Sequence, residues 1–483
     1  MKKTFSLLFL LHLTLSCSSD GQLFTNAICI EDITTIDPEN GIKEHQTVVI
    51  QEGKILKVDN TRNLKLSTKN QIINGSGKYL IPGLWDSHVH FAYIEELAPY
   101  MNDLFLAYGI TSLRDTGGEI MFMRKWKELS EQNPATTPRL MIAGPLLDGM
   151  PNVYDGSSPD RPPLSHGLDT VDDVNDYIDY LDSLGVDFLK AYEMLTPDQF
   201  RAVLAKASEK GLKVTGHVPL SMDVISASNA GLNSMEHLRN VEMSMAGNAT
   251  QLLTERQHML TEGRALQGGD LRSNIHRAQR LPAVDNADTD NTANVLQTLA
   301  KNQTVQIPTL ALGHVATFKE FTQAHWQESF EYLPDTIEQN WRSAMSRIES
   351  SAPNTERAKY SKWALQMTGK AHRAGVPMMA GTDTPIGFLT PGLSLHRELE
   401  LFVEAGLTPL EALASATMEP ARYFGMENKL GQIADGMIAD LLILNANPLE
   451  SISNTRTIDA VIKDGNLYDT EALKSLKAKM REW

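Results

Sequence analysis

Eight β-rich apolar runs recur through the middle of the chain, and most are followed by text with the spacing of an amphipathic helix. The runs are YLIPGLWDSHVH, GITSLRD, RLMIAG, GVDFLK, GLKVTGHV, GLNSMEH, VQIPTL and GVPMMAGTD. Helix-like stretches include 172–184, 197–210 with proline at its first turn, and 395–405. Gly109, Gly185, Gly211, Gly231 and Gly375 stand just before the next run, where glycine ends a helix. Consecutive strand–helix units of this number predict an α/β fold, a (β/α)8 TIM-type barrel.

The two ends read differently. From Leu23 to Ile73 the text is strand-like and turn-rich, with a hairpin turn at Glu52-Gly53, and 439–466 repeats the style with a D-G turn. Neither piece can bury a core alone, so 23–79 and 432–468 are expected to form one small β-sandwich domain. The barrel then occupies 80–431, and 469–483 is a C-terminal tail. Within the barrel, 241–304 is polar and weakly periodic. It reads as an insertion at the rim after the sixth strand, either a solvent-facing helical excursion or part of a substrate pocket's wall.

Residues 1–17 have a basic start, a mostly apolar run and Ser16 before Cys17. This is the architecture of a secretory signal and is too short for an ordinary spanning helix. It resembles the bacterial lipoprotein signal, which implies an exported protein facing the periplasm or cell surface with a lipid anchor at Cys17. The only other cysteine is Cys29, so a disulfide framework and a cysteine-rich metal site are excluded. With 44 Lys and Arg against 60 Asp and Glu, the formal charge of −16 also argues against a nucleic-acid partner.

Thirteen histidines and the carboxylates remain as metal-ligand material. In an extended segment residues i and i+2 face the same way, so His88 and His90 can present two imidazoles to one point. Lys190, His217, His237 and Asp383 each end a β run in the same manner. Strand ends of a barrel converge on one mouth, which makes one candidate site of the six. For Lys190 taken by itself, a structural ion pair with an Asp or Glu is an open reading.

The motifs PGLWDSHVH, AYGITSLRDTGG, DFLKAYE, GHV, EHL, AGVPMMAGTDTP, LHRELELFVEAGLTPLEALASAT and LGQIADGMIADLLILNANP together resemble the amidohydrolase superfamily, in its imidazolonepropionase-like and prolidase-like branch. The resemblance implies two divalent metal ions, with zinc expected. His88, His90 and Asp383 would hold the buried one, His217 and His237 the more exposed one, and carboxylated Lys190 would bridge them. It also implies that Asp383 moves the proton in catalysis. Some relatives keep one metal. Arg114, Tyr192, Arg239 and His396 are candidate substrate contacts, the arginines through the bidentate fork of guanidinium.

The expected reaction is hydrolysis of a carbon–nitrogen amide bond, not primarily of esters, in a dipeptide or N-acyl amino acid. The alternatives are a cyclic amide or lactone hydrolase, then a deaminase. Val218 and Pro219 stand where prolidase-like relatives often carry an aromatic residue, which weakens a proline preference. A non-enzymatic binding lipoprotein on the same barrel is a minor alternative.

Overall fold

Both ends of the chain contribute strands to one mixed sheet. The computed structural model describes residues 23–478, so the leader 1–17 and the lipidation expected at Cys17 lie outside the described residues. The strand order is Asn466–Tyr468, Ile458–Lys463, Leu441–Leu444, Tyr79–Pro82, Ile28–Asp37, Gly41–Gln51, Lys54–Asn60, with Gln71–Asn74 beside Ile28–Asp37. N-terminal and C-terminal text meet where Tyr79–Pro82 pairs antiparallel with Leu441–Leu444.

Strand alternation gives that junction two cores. Leu441 and Ile443 pack with Ile30, Ile33, Val48 and Ile50, while Leu442 and Leu444 turn toward the barrel. A buried ion network fastens the two parts: Asp440 accepts from Lys463 at 3.1 Å and from Arg139, a barrel residue, at 3.2 Å. The segment expected as a tail, 469–483, is helical over Thr470–Ala478, with Leu473 and Leu476 buried.

The barrel core is parallel. Leu84–Val89, Ile110–Asp115 and Arg139–Ile142 form one three-stranded group. A second group runs Ser165–Leu168, Leu146–Gly149, Phe188–Ala191, Lys213–Gly216, Ser234–Glu236, Val305–Ile307. The strands Leu146–Gly149 and Ser165–Leu168 are absent from the eight predicted runs; both are four residues long, too short for a visible alternation.

Two predicted runs behave differently from ordinary strands. YLIPGLWDSHVH divides at Gly83, with its first half in the terminal sheet and its second in the barrel. A Cβ at Gly83 would lie 2.3 Å from Thr111 Oγ1, so the close passage there requires glycine. GVPMMAGTD forms no regular strand, and Asp383 at its end takes the left-handed conformation at φ 71°. It still closes the ring, since Met378 bridges Gln306, Thr384 bridges Val89, and Ser87 N–H donates to the Ala380 carbonyl at 2.9 Å.

The stretch 241–304 is helical over Val241–Met245, Ala249–Glu262, Gly268–Asp285 and Thr289–Lys301. The helix Gly268–Asp285, called the rim helix below, buries Leu271, Ile275 and Ala283. Its Arg272 and His276 bond Glu193, just past the strand Phe188–Ala191, at 3.0 and 2.6 Å. The stretch is therefore part of the mouth's wall.

Candidate metal centre and its cationic vestibule

His88 lies on the strand Leu84–Val89 and His90 one residue past its end, and both line the barrel mouth. Partners at Nδ1 decide how each ring is used. His88 Nδ1 bonds the Glu236 carboxylate at 2.6 Å, and His90 Nδ1 bonds the Gly117 carbonyl at 3.1 Å. Both partners are acceptors, so Nδ1 carries the proton and Nε2 presents a lone pair.

The two Nε2 atoms converge on Asp383 Oδ1, at 3.2 Å from His88 and 3.1 Å from His90. Asp383 is held by its own N–H, which donates to the His88 carbonyl at 2.7 Å. Burial opposes ionisation of Asp383, yet the imidazoles of His88, His237 and His90 gathered around it hold its carboxyl well below the usual range.

The donor atoms of His88, His90 and Asp383 all lie within 4.8 Å of one another. His88 Nε2 and Asp383 Oδ1 are buried without a hydrogen-bond partner. Two neutral imidazoles and a carboxylate, with orphaned atoms facing one point, fit a divalent cation.

The expectation of two metals bridged by a Lys190 carbamate is corrected here. Among the described residues, His88, His90 and Asp383 form the one cluster of this kind, and Lys190 is no member of it. Lys190 lines the same mouth, with Nζ 3.7 Å from Glu236 Oε1. The negative charge that a buried lysine needs thus comes from a carboxylate of the chain itself. Burial pulls its amine down to about 8, against the pull of Glu236.

Glu236 also engages Arg114 Nη2 at 2.5 Å and the Thr215 hydroxyl. Arg114 is therefore placed beneath the site, with its guanidinium 5.3 Å from the Phe188 ring, and does not line the mouth. His396 also stands away from it, bonded to the Thr455 hydroxyl and the Tyr108 carbonyl.

His217 and His237 flank the cluster. His217 Nδ1 bonds Glu193 at 2.5 Å, and His237 Nδ1 bonds Thr309 Oγ1, whose own proton goes to the Pro308 carbonyl. Each ring again turns a bare Nε2 toward the mouth. Burial outweighs the neighbouring carboxylates and keeps both rings well below the usual histidine value, hence neutral.

The inner cavity, about 30 Å³, is bounded by these groups with Tyr154 and Tyr192. It shares His237, Arg239 and Arg272 with an outer cavity of about 540 Å³. Tyr192 and Arg239, expected as substrate contacts, line this inner cavity. Glu236, Glu193, Arg272, His276 and Tyr154 were missed. The first two had a signal, as acids adjoining candidate residues in MEH and AYE; the others reach the mouth from segments with no motif of their own.

A sequence model of the amidohydrolase family matches residues 79–468. Ochratoxinase of Aspergillus niger is 35% identical over 131 residues, 24% of this chain and 26% of that protein. Imidazolonepropionase of Aeromonas hydrophila subsp. hydrophila is 35% identical over 91 residues, 19% of this chain and 22% of that protein. The chain thus spans about a quarter of the length of the curated relatives it matches. A solved Xaa-Pro dipeptidase with bound methionine superposes with a TM-score of 0.66 at 20% identity, covering 92% of this chain and 100% of that one. That likeness establishes the fold.

Proposed function

The chain belongs to the amidohydrolase family, and from that premise we propose a metal-dependent hydrolase that cleaves a carbon–nitrogen amide bond in a dipeptide or N-acyl amino acid. The observation that carries this reading is the convergence of His88, His90 and Asp383, with His88 Nε2 and Asp383 Oδ1 left without a hydrogen-bond partner. His88, His90 and Asp383 would hold a divalent cation, which when bound would lower the pKa of a water and polarise the carbonyl.

The chain's own groups do the rest. Asp383, ionised by its surroundings, accepts the proton of the attacking water and passes it to the departing nitrogen, which leaves as an amine. The Nε2 lone pair of His237 or of His217 can accept that water's remaining hydrogen. Arg239 and Arg272 lie between the inner and outer cavities and can hold the substrate's carboxylate through paired N–H donors. Tyr154 and Tyr192 close the inner cavity and limit access of bulk water.

Metal analysis of the purified protein, with a screen of dipeptides, N-acyl amino acids and lactones, tests the reading. We expect about one equivalent of divalent cation, with amide hydrolysis lost on chelation and regained on readdition. Undiminished hydrolysis after complete metal removal overturns it, and cleavage of lactones without amides transfers it to the alternative. The exported setting is part of the proposal and rests on residues 1–17. Fatty-acid labelling that disappears in Cys17→Ala supports the anchor, and labelling that persists rejects it.

A further inference from the structure

The outer cavity is strongly cationic in a chain of formal charge −16. Its wall carries Arg239, Arg272, Arg277, Arg280 and Arg357, with Glu356 as the acid on the same wall. Glu193 and Glu242, buried behind it, pair with Arg272 at 3.0 Å and Arg280 at 3.4 Å. Five arginines against three glutamates leave an excess of two positive charges.

Several polar atoms here also lack partners. Arg280 Nη2 and Tyr360 Oη are buried and make no hydrogen bond, and Arg239 Nε makes none either, with Glu193 Oε1 3.8 Å away. Arg280 lies over the Tyr360 ring at 4.6 Å, which places guanidinium and phenol side by side at one position on the wall. Buried donors left unmade are costly, and their grouping on one wall identifies the ligand as an acceptor of N–H and O–H bonds.

We propose that this wall is a second anion-recognising subsite, so that the preferred substrate is an amide whose leaving amino acid carries a side-chain carboxylate. The inference rests on the hydrolytic reading above. Arg239 and Arg272 border both cavities and meet the α-carboxylate next to the scissile bond. The side chain then extends outward to Arg280 and Tyr360. The two excess charges match the two carboxylates, and the cationic funnel concentrates dianions at the mouth.

The experiment has a binding arm and a turnover arm, both on the full chain. Calorimetric titration compares L-glutamate with L-glutamine, which differ by the one charge, and kcat/KM is measured for Ala-Glu and Ala-Gln. Glutamate should bind at least tenfold tighter than glutamine. Arg280→Gln should bring that ratio close to one, and Tyr360→Phe, which leaves every ion pair intact, should lower it severalfold. Equal binding of the two amino acids to the wild type overturns the subsite, as does a ratio unchanged in both variants. Equal hydrolysis of Ala-Glu and Ala-Gln also overturns it while leaving the hydrolytic reading in place. Glutamate preference that falls in the variants, with neither dipeptide cleaved, supports the subsite and counts against the dipeptide reading.

Discussion

Glu236 Oε2 receives the Nδ1 proton of His88 at 2.6 Å, joining the sixth long barrel run to the first beneath the mouth. The same carboxylate accepts from Arg114 and faces Lys190, so one anion orients an imidazole of the candidate metal cluster and is the counter-ion that two buried cations share.

Glu236→Gln keeps the shape and removes that charge. Arg114 and Lys190 are then buried without a counter-ion, and the expected loss of stability is about 3–5 kcal/mol. Weakened support for His88 should also lower metal affinity about 10- to 100-fold. Urea unfolding with and without chelator, and competition for the metal, separate the two effects. A variant with wild-type stability and affinity would show that the charge is dispensable.

Gly381 is the hinge of a second test. A Cβ there would lie 2.8 Å from both the Cβ and the backbone nitrogen of His88 and 2.7 Å from Ile307 Cγ2. Gly381→Ala must displace the strand that carries His88. We expect about 1–3 kcal/mol of overpacking cost, together with weakened metal binding. Metal occupancy and urea midpoint equal to the wild type would remove this argument.

For Asp383→Asn the expectation is a loss of turnover of about 10²- to 10⁴-fold, with reduced metal content, since an amide neither takes the water's proton nor carries a ligand's charge. The urea midpoint of metal-free protein should fall little by comparison. Full activity at normal occupancy would falsify the proton-transfer role.

Glu398 makes stability pH-dependent. Burial lifts its carboxyl to about 8, against the pull of two hydrogen bonds from the Ala311 and Leu310 N–H groups. Between the ordinary value and about 8 the folded chain holds a proton that the unfolded chain has lost. Stability from this group is therefore complete in acid and declines as pH rises through about 8. Glu398→Gln carries no such charge, so the difference in urea midpoint between wild type and variant should shift in the variant's favour from pH 5 to pH 8. A difference constant across that range would contradict the assignment.

What could be read in advance follows the range of the forces involved. His88 and His90 were legible because strand alternation is local, and the barrel because helix stops recur before its strands. Lys190 was misassigned to a metal bridge because its partner, Glu236, lies two strands further along the chain and the ion pair exists only after folding. The alternative of a structural pair was open at that point, and the ion pair with Glu236 at 3.7 Å accords with it. The rim helix was obscured by Gly268 and Gly269 at its start and Pro282 within it, which dilute a helical pattern. Arg272 and His276 become meaningful only beside Glu193, a contact that no window of sequence contains.

The pairing of Tyr79–Pro82 with Leu441–Leu444 sets an order in time. At a synthesis rate of about 5–20 residues per second, roughly 20–70 seconds separate the emergence of the two strands from the ribosome. During that interval the barrel's strands are made while Tyr79–Pro82 waits with an unsatisfied edge, open to pairing with the wrong chain. A strand made late in synthesis thus seals one made early, and a nascent chain halted before Leu441 leaves that edge exposed.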